Sequence, residues 1–96
     1  MLNIISEYVI SNGVKIHYYR TGGNKPPLIL AHGITDDGMC WSPITEVLAE
    51  DFDVIMVDTR GHGKSDAPED GYTLQNLGAE LAGVIQALKL DQPILL

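Results

Sequence analysis

The segment VDTRGHGKSD, residues 57–66, gathers residues whose types and spacing could do chemistry. Gly63-Lys64-Ser65 is the end of a phosphate-binding loop, G-x-x-x-x-G-K-[ST], in which backbone N–H groups cradle an anion and the lysine neutralises it. Gly63-Lys64-Ser65-Asp66-Ala67 is also one residue away from G-x-S-x-G, the turn that presents a nucleophilic serine. Anion binding and acyl transfer are thus both sketched over the same few residues.

The flanking sequence argues against both. A phosphate loop needs glycine five positions before Gly63, and that position is Asp58, a carboxylate that would face the phosphates. It also needs a helix to begin at once, because the helix N-terminus binds the anion. Here the chain runs on as SDAPEDGY, with Pro68 and Gly71 as loop punctuation. The serine elbow sits on a sharp strand-to-helix turn. Ser65 lies several residues past a strand that ends near Asp58, and no histidine stands at an obvious spacing to act as its base. The remaining reading is structural. Ser65 caps a turn, Gly61 and Gly63 take backbone angles other residues resist, and Asp58 and Arg60 pair or bond to backbone groups at the strand's carboxyl end. Ligands of open α/β sheets bind at that edge, so the loop also shapes a pocket.

The elements that must position this loop follow from patterning. EYVISNGVKIHYYR holds two strand-like runs joined through Asn12-Gly13, a pair that readily takes the positive backbone angles of a tight hairpin. LILA, Leu28 to Ala31, and DVIMVD, ending at Asp58, are short apolar runs of the kind buried on both faces of a parallel sheet. Ser42-Pro43 opens a helix with Ile44, Val47 and Leu48 on one face. From Thr73 to about Leu90, Leu74, Leu77, Leu81, Val84, Ile85 and Leu88 share a helical face. Gly78 and Gly83 weaken that helix and are expected where it packs closely on a sheet. PILL, at the end, starts a third buried strand. Alternating apolar strands and helices predict an α/β fold with a mostly parallel sheet behind an opening β-hairpin, and residues 1–96 read as part of one domain.

Composition narrows the partners. Six basic against thirteen acidic residues give a net charge of −7, without the Lys/Arg clusters that bind nucleic acid or an anionic membrane. No apolar run approaches the ~20 residues of a membrane span, and the N-terminus lacks the pattern of a signal peptide. Cys40 is the only cysteine, so no internal disulfide forms, and a reducing cytoplasm is the expected compartment. Cys40 itself reads as a buried, inert thiol. No histidine, cysteine or carboxylate cluster has metal-ligand spacing, and neither a metal nor another cofactor is expected.

Two motifs together carry a family resemblance. DTRGHGKS resembles the D-x-R-G-x-G-x-S loop of the α/β-hydrolase superfamily, and LILAHGITDDGMCW resembles that family's third strand, His-Gly oxyanion turn and nearby Trp. The resemblance covers the whole chain and implies the N-terminal part of an α/β-hydrolase fold, stopping before the nucleophile elbow. It implies that the backbone N–H of Ile34 is one oxyanion donor, that His32 and Gly33 hold its turn, and that Asp58, Arg60, Gly61, His62, Gly63 and Ser65 form a supporting loop. Asp36 and Trp41 are weaker candidates: Asp36, with Asp37, could line the pocket entrance but reads more readily as a solvated turn, and Trp41 could contact substrate but reads at least as readily as core or as a staple before the helix. The triad falls outside the chain in this reading, so the 96 residues alone are expected to be inactive. HGITDDG lacks the proline that typically follows the oxyanion residue in epoxide hydrolases and haloalkane dehalogenases. That favours the serine-using esterase, lactonase and C–C hydrolase group, acting on a small molecule. The alternative is a non-catalytic half-domain that binds a partner or itself through its open sheet edge.

Overall fold

The computed structural model, which describes residues 4–31, 42–61, 63–68 and 73–95, begins with the hairpin that Asn12-Gly13 demands. Strands β1 (Ile5–Ser11) and β2 (Val14–Arg20) close on the pair Ser11 and Val14. Both turn residues are left-handed, Asn12 at φ 50° and Gly13 at φ 80°. That is the combination whose twist matches two antiparallel strands.

The chain then builds β3 (Pro27–Ala31), α1 (Ser42–Leu48), β4 (Asp53–Val57), α2 (Leu74–Ala87) and β5 (Ile94–Leu95). The sheet order is β1-β2-β4-β3-β5. β3 pairs in parallel with β4 and with β5, while β2 is antiparallel to both β1 and β4. Only β2 therefore runs against the others, as a hairpin leading into a parallel sheet requires.

The apolar runs are explained by burial on both faces. On one face Ile16, Tyr18, Ile29, Ile55 and Val57 pack against Val84 of α2, with Leu81, Ile85 and Leu88 around it. On the other, Leu28, Leu30, Val54 and Met56 meet Ala49, Leu48 and Phe52 at the end of α1. Alternate residues of β3 and β4 serve opposite cores, so every position in β4 is buried. Thr73 starts α2 as its N-cap, its hydroxyl accepting the Asn76 N–H at 3.1 Å. Gly83 lies where the helix crosses the end of β1, and a Cβ there would collide with Ser11. Gly78 has open space around it, so packing does not account for that glycine.

Two expectations need correction. The inward residues of α1 are Thr45 and Leu48, with Ala49 just beyond its end, whereas Ile44 and Val47 are 43% and 68% exposed. The Thr45 hydroxyl reaches Met56 Sδ at 3.1 Å, which seats that side of the helix on the sheet. β5 is not a buried strand in this chain: Ile94 and Leu95 are about half exposed, because β5 has a neighbour on one side only.

Candidate functional site

Parallel pairing brings the carboxyl ends of β3 and β4 to one edge, with Ala31 opposite Val57. The chain leaves β4 there and returns along β2 instead of crossing the sheet. The Asp58 N–H donates to the His17 carbonyl at 2.9 Å, and after the loop the Asp66 N–H donates to the Lys15 carbonyl, also at 2.9 Å. The Lys15 N–H closes the exchange on the Asp66 carboxylate at 3.3 Å. Ser65 fills the step between, its Oγ accepting the His17 N–H at 2.7 Å and donating to the Asp58 carbonyl.

Asp58 is the hub. Its side chain is fully buried, and Oδ2 accepts from His17 Nδ1 at 2.8 Å and from the Lys64 N–H at 3.0 Å. Gly63 makes this turn possible. It stands at φ +52°, and a Cβ would lie within 2.7 Å of every atom of the Asp58 carboxyl group. Gly61, at φ 78°, donates its N–H to the Asp66 carbonyl at 2.8 Å and closes the loop's neck.

Two residues anchor this loop, His17 through Asp58 and Glu80 through Arg60, and sequence reading missed both. His17 is fully buried on β2; its second ring nitrogen, Nε2, stands 2.6 Å from Ser6 Oγ. Tyr8 and Tyr19 pack on the imidazole in T-shaped contacts, at centroid distances of 5.0 and 4.6 Å. Glu80, fully buried on α2, takes Arg60 Nε on Oε1 at 2.7 Å and the Arg60 N–H on Oε2 at 3.1 Å. The signal for Glu80 was present: it falls between Leu77 and Val84 on the apolar stripe of α2, where a lone carboxylate needs a partner. His17 had no comparable signal, since Asp58 is 41 residues away.

This arrangement explains the two failed motifs. The Lys64 N–H that would face a phosphate points inward to a carboxylate. The Ser65 hydroxyl is held on both sides by backbone groups and serves as a staple. A separate clamp lies at the opposite, amino end of β4. There the Asp53 carboxylate takes Arg20 Nη2 at 2.6 Å, Arg20 Nε at 3.0 Å and the Gly22 N–H at 2.9 Å. The hydrogen bond to Asp53 raises the Arg20 pKa, against the opposing effect of burial.

Of the remaining sequence-predicted positions, His32, Gly33, Ile34, Asp36, Asp37, Cys40, Trp41 and His62 lie outside the described residues. Among the described residues, no three His, Cys, Asp or Glu side chains gather as a metal site would require. No helix among them is long and apolar enough to cross a membrane.

The chain's likeness to known proteins extends over most of its length. The alpha/beta hydrolase fold model matches residues 26–96. A 2-(acetamidomethylene)succinate hydrolase of Mesorhizobium japonicum is 36% identical over 97% of this chain and 35% of its own length. The crystal structure of an N-formylmaleamic acid deformylase of Pseudomonas putida S16 superposes with a TM-score of 0.87 at 31% identity, over 95% of this chain and 35% of that one. A soluble epoxide hydrolase of Corynebacterium sp. strain C12 is 33% identical over 84% of this chain and 28% of its own length. The chain spans about a third of the length of these relatives. With both faces of the sheet and the loop after β4 in place, the chain belongs to the alpha/beta hydrolase fold family.

Proposed function

We propose that this chain is the N-terminal part of a serine-dependent hydrolase that cleaves an ester, lactone or C–C bond of a small molecule. Its part in the reaction is to supply the oxyanion turn and the loop beneath it. The observation that carries the reading is the register of β3 on β4. Ala31, the residue before His32-Gly33-Ile34 in the chain, ends beside Val57, which is followed by the buried Asp58. Ile34 donates its backbone N–H to the developing oxyanion, with His32 and Gly33 holding the turn and Asp36 and Trp41 at the pocket entrance. A backbone donor suits this task because it is rigid and aimed where charge appears in the transition state. The nucleophile, acid and histidine belong to the remainder of the hydrolase domain, which also covers the open edge at β5. The reaction is acyl transfer to serine followed by attack of water. The hydrolase and deformylase relatives extend the bond classes to amides. A reducing cytoplasm is the compartment in this reading, supported by the single cysteine of these 96 residues, and no cofactor is called on.

A second reading has an aspartate nucleophile, and the epoxide hydrolase relative favours it. The residue after Ile34 is Thr35 rather than the proline typical of that group, which favours serine. The test is covalent. A full-length hydrolase containing this chain, treated with a fluorophosphonate, should gain one adduct on a serine beyond residue 96 and lose ester hydrolysis. Retained activity, with solvent oxygen incorporated into an aspartate during a single turnover, would establish the second reading instead.

A further inference from the structure

We propose that Ser6 is a nucleophilic serine in its own right, an acceptor for small activated acyl groups on the open edge of the sheet. It uses none of the residues of the oxyanion turn, and it shares only Asp58 with the supporting loop described above.

Three side chains stand in line. The Asp58 carboxylate lies 2.8 Å from His17 Nδ1, and His17 Nε2 lies 2.6 Å from Ser6 Oγ. A carboxylate only accepts, so Nδ1 carries the ring hydrogen, and in the neutral ring Nε2 is left to accept from the Ser6 hydroxyl. This is the relation of nucleophile, base and orienting acid that activates a serine wherever it occurs, irrespective of fold. Burial has the required gradient: the side chains of Asp58 and His17 are 1% and 0% exposed, whereas Ser6 is open to solvent. The base is therefore held by a fixed carboxylate and two tyrosine rings, and the nucleophile can be reached from outside.

The edge also offers a donor for the attacked carbonyl. In a two-residue hairpin closed by Ser11 and Val14, hydrogen-bonded and non-hydrogen-bonded pairs alternate along the strands. The backbone groups of Lys15 and His17 point away from β1, toward the loop after β4. Their partners Ile10 and Tyr8 belong to the same class of pair as Ser6 with Tyr19. The Ser6 N–H thus points out of the sheet at its free edge, next to its own Oγ.

The step balances without a co-reactant beyond the acyl donor. Ser6 Oγ attacks the carbonyl carbon of an aryl ester and its proton passes to His17 Nε2. A new Oγ–C bond forms, the bond from carbon to the phenolic oxygen breaks, and phenolate leaves with the electron pair. His17 then returns its proton to solvent, leaving O-acyl Ser6.

The chain carries its own controls in Ser11, Ser42 and Ser65. It would be treated with p-nitrophenyl acetate in buffer and in concentrated urea, and acetylated serines mapped by peptide mass spectrometry. In buffer, Ser6 should be acetylated about 10²-fold faster than the other serines, the contribution of a positioned general base. That preference should vanish in urea. Ser6→Ala, at an exposed strand position, should remove the fast phase of p-nitrophenolate release without changing the circular dichroism spectrum. Equal labelling of all serines in buffer, a preference that persists in urea, or an unchanged fast phase in Ser6→Ala would each overturn the proposal.

Discussion

Arg60 and Glu80, one on the loop after β4 and one on α2, form a buried two-point contact. Arg60 Nε and the Arg60 N–H occupy the two oxygens of a carboxylate that is fully shielded from water. Ser11 Oγ donates to the Glu80 carbonyl at 2.6 Å. Residue 80 therefore ties three things together: the hairpin, the helix and the loop after β4.

Removing that carboxylate should be costly. Glu80→Gln keeps the shape but offers a single acceptor oxygen to two donors, and it removes the carboxylate charge that faces the guanidinium. Breaking a buried pair from one side costs about 3–5 kcal/mol. Urea unfolding followed by circular dichroism should show a large fall in midpoint for Glu80→Gln and a larger one for Glu80→Ala. A midpoint within experimental error of the parent would mean that the loop is held by other contacts.

Two glycines with positive φ separate backbone strain from collision. Gly13→Ala places a methyl group in open space, so only the left-handed conformation is penalised, by about 1–2 kcal/mol. Gly63→Ala carries the same strain and also drives the methyl group into the Asp58 carboxylate. Overpacking of that kind adds about 1–3 kcal/mol. Gly63→Ala should therefore be clearly the more destabilising of the two in urea titrations. Equal losses would show that Asp58 can move aside.

What could be read from the chain divides along physical lines. The hairpin was legible because Asn-Gly is a local signal, and β3 and β4 because short apolar runs have few other places to go. The face of α1 was not. In seven residues, Ile44, Thr45, Val47 and Leu48 are all tolerable inward, and periodicity cannot choose between Ile44 and Thr45 without the Met56 sulfur it meets. The loop after β4 was recognisable as a polar, glycine-punctuated turn, yet its partners His17 and Glu80 come from a distant strand and helix. Contacts across 41 and 20 residues leave no periodic trace.

Tyr18 gives a test at alkaline pH. Burial raises its phenol pKa above the ordinary value of 10.0, and the hydrogen bond and charge of Glu7 push it further the same way. The Tyr18 Oη sits 3.2 Å from Glu7 Oε2. A group whose pKa is higher when folded keeps its proton after the unfolded chain has lost its own. The resulting stability is present in full below pH 10.0, and it is lost as pH rises through the folded pKa. Absorbance titration should show one tyrosine, absent in Tyr18→Phe, that ionises later than the others. In Glu7→Gln its shift should shrink but persist, because burial is the larger cause. Complete loss of the shift in Glu7→Gln would reverse that ranking.

Ser65 decides between a staple and a nucleophile. Its hydroxyl joins the His17 N–H to the Asp58 carbonyl, so Ser65→Ala removes the acceptor of a partly buried N–H and one donor to that carbonyl. Leaving such groups unsatisfied costs about 1–3 kcal/mol. The expected result is a lower urea midpoint for the isolated chain. In a full-length hydrolase, turnover per folded molecule should stay close to the parent's. A nucleophile would behave the opposite way, with turnover collapsing while the midpoint held. Measuring both quantities on the same preparation separates the two roles, and an inactive but equally stable Ser65→Ala protein would restore this serine as the reacting group.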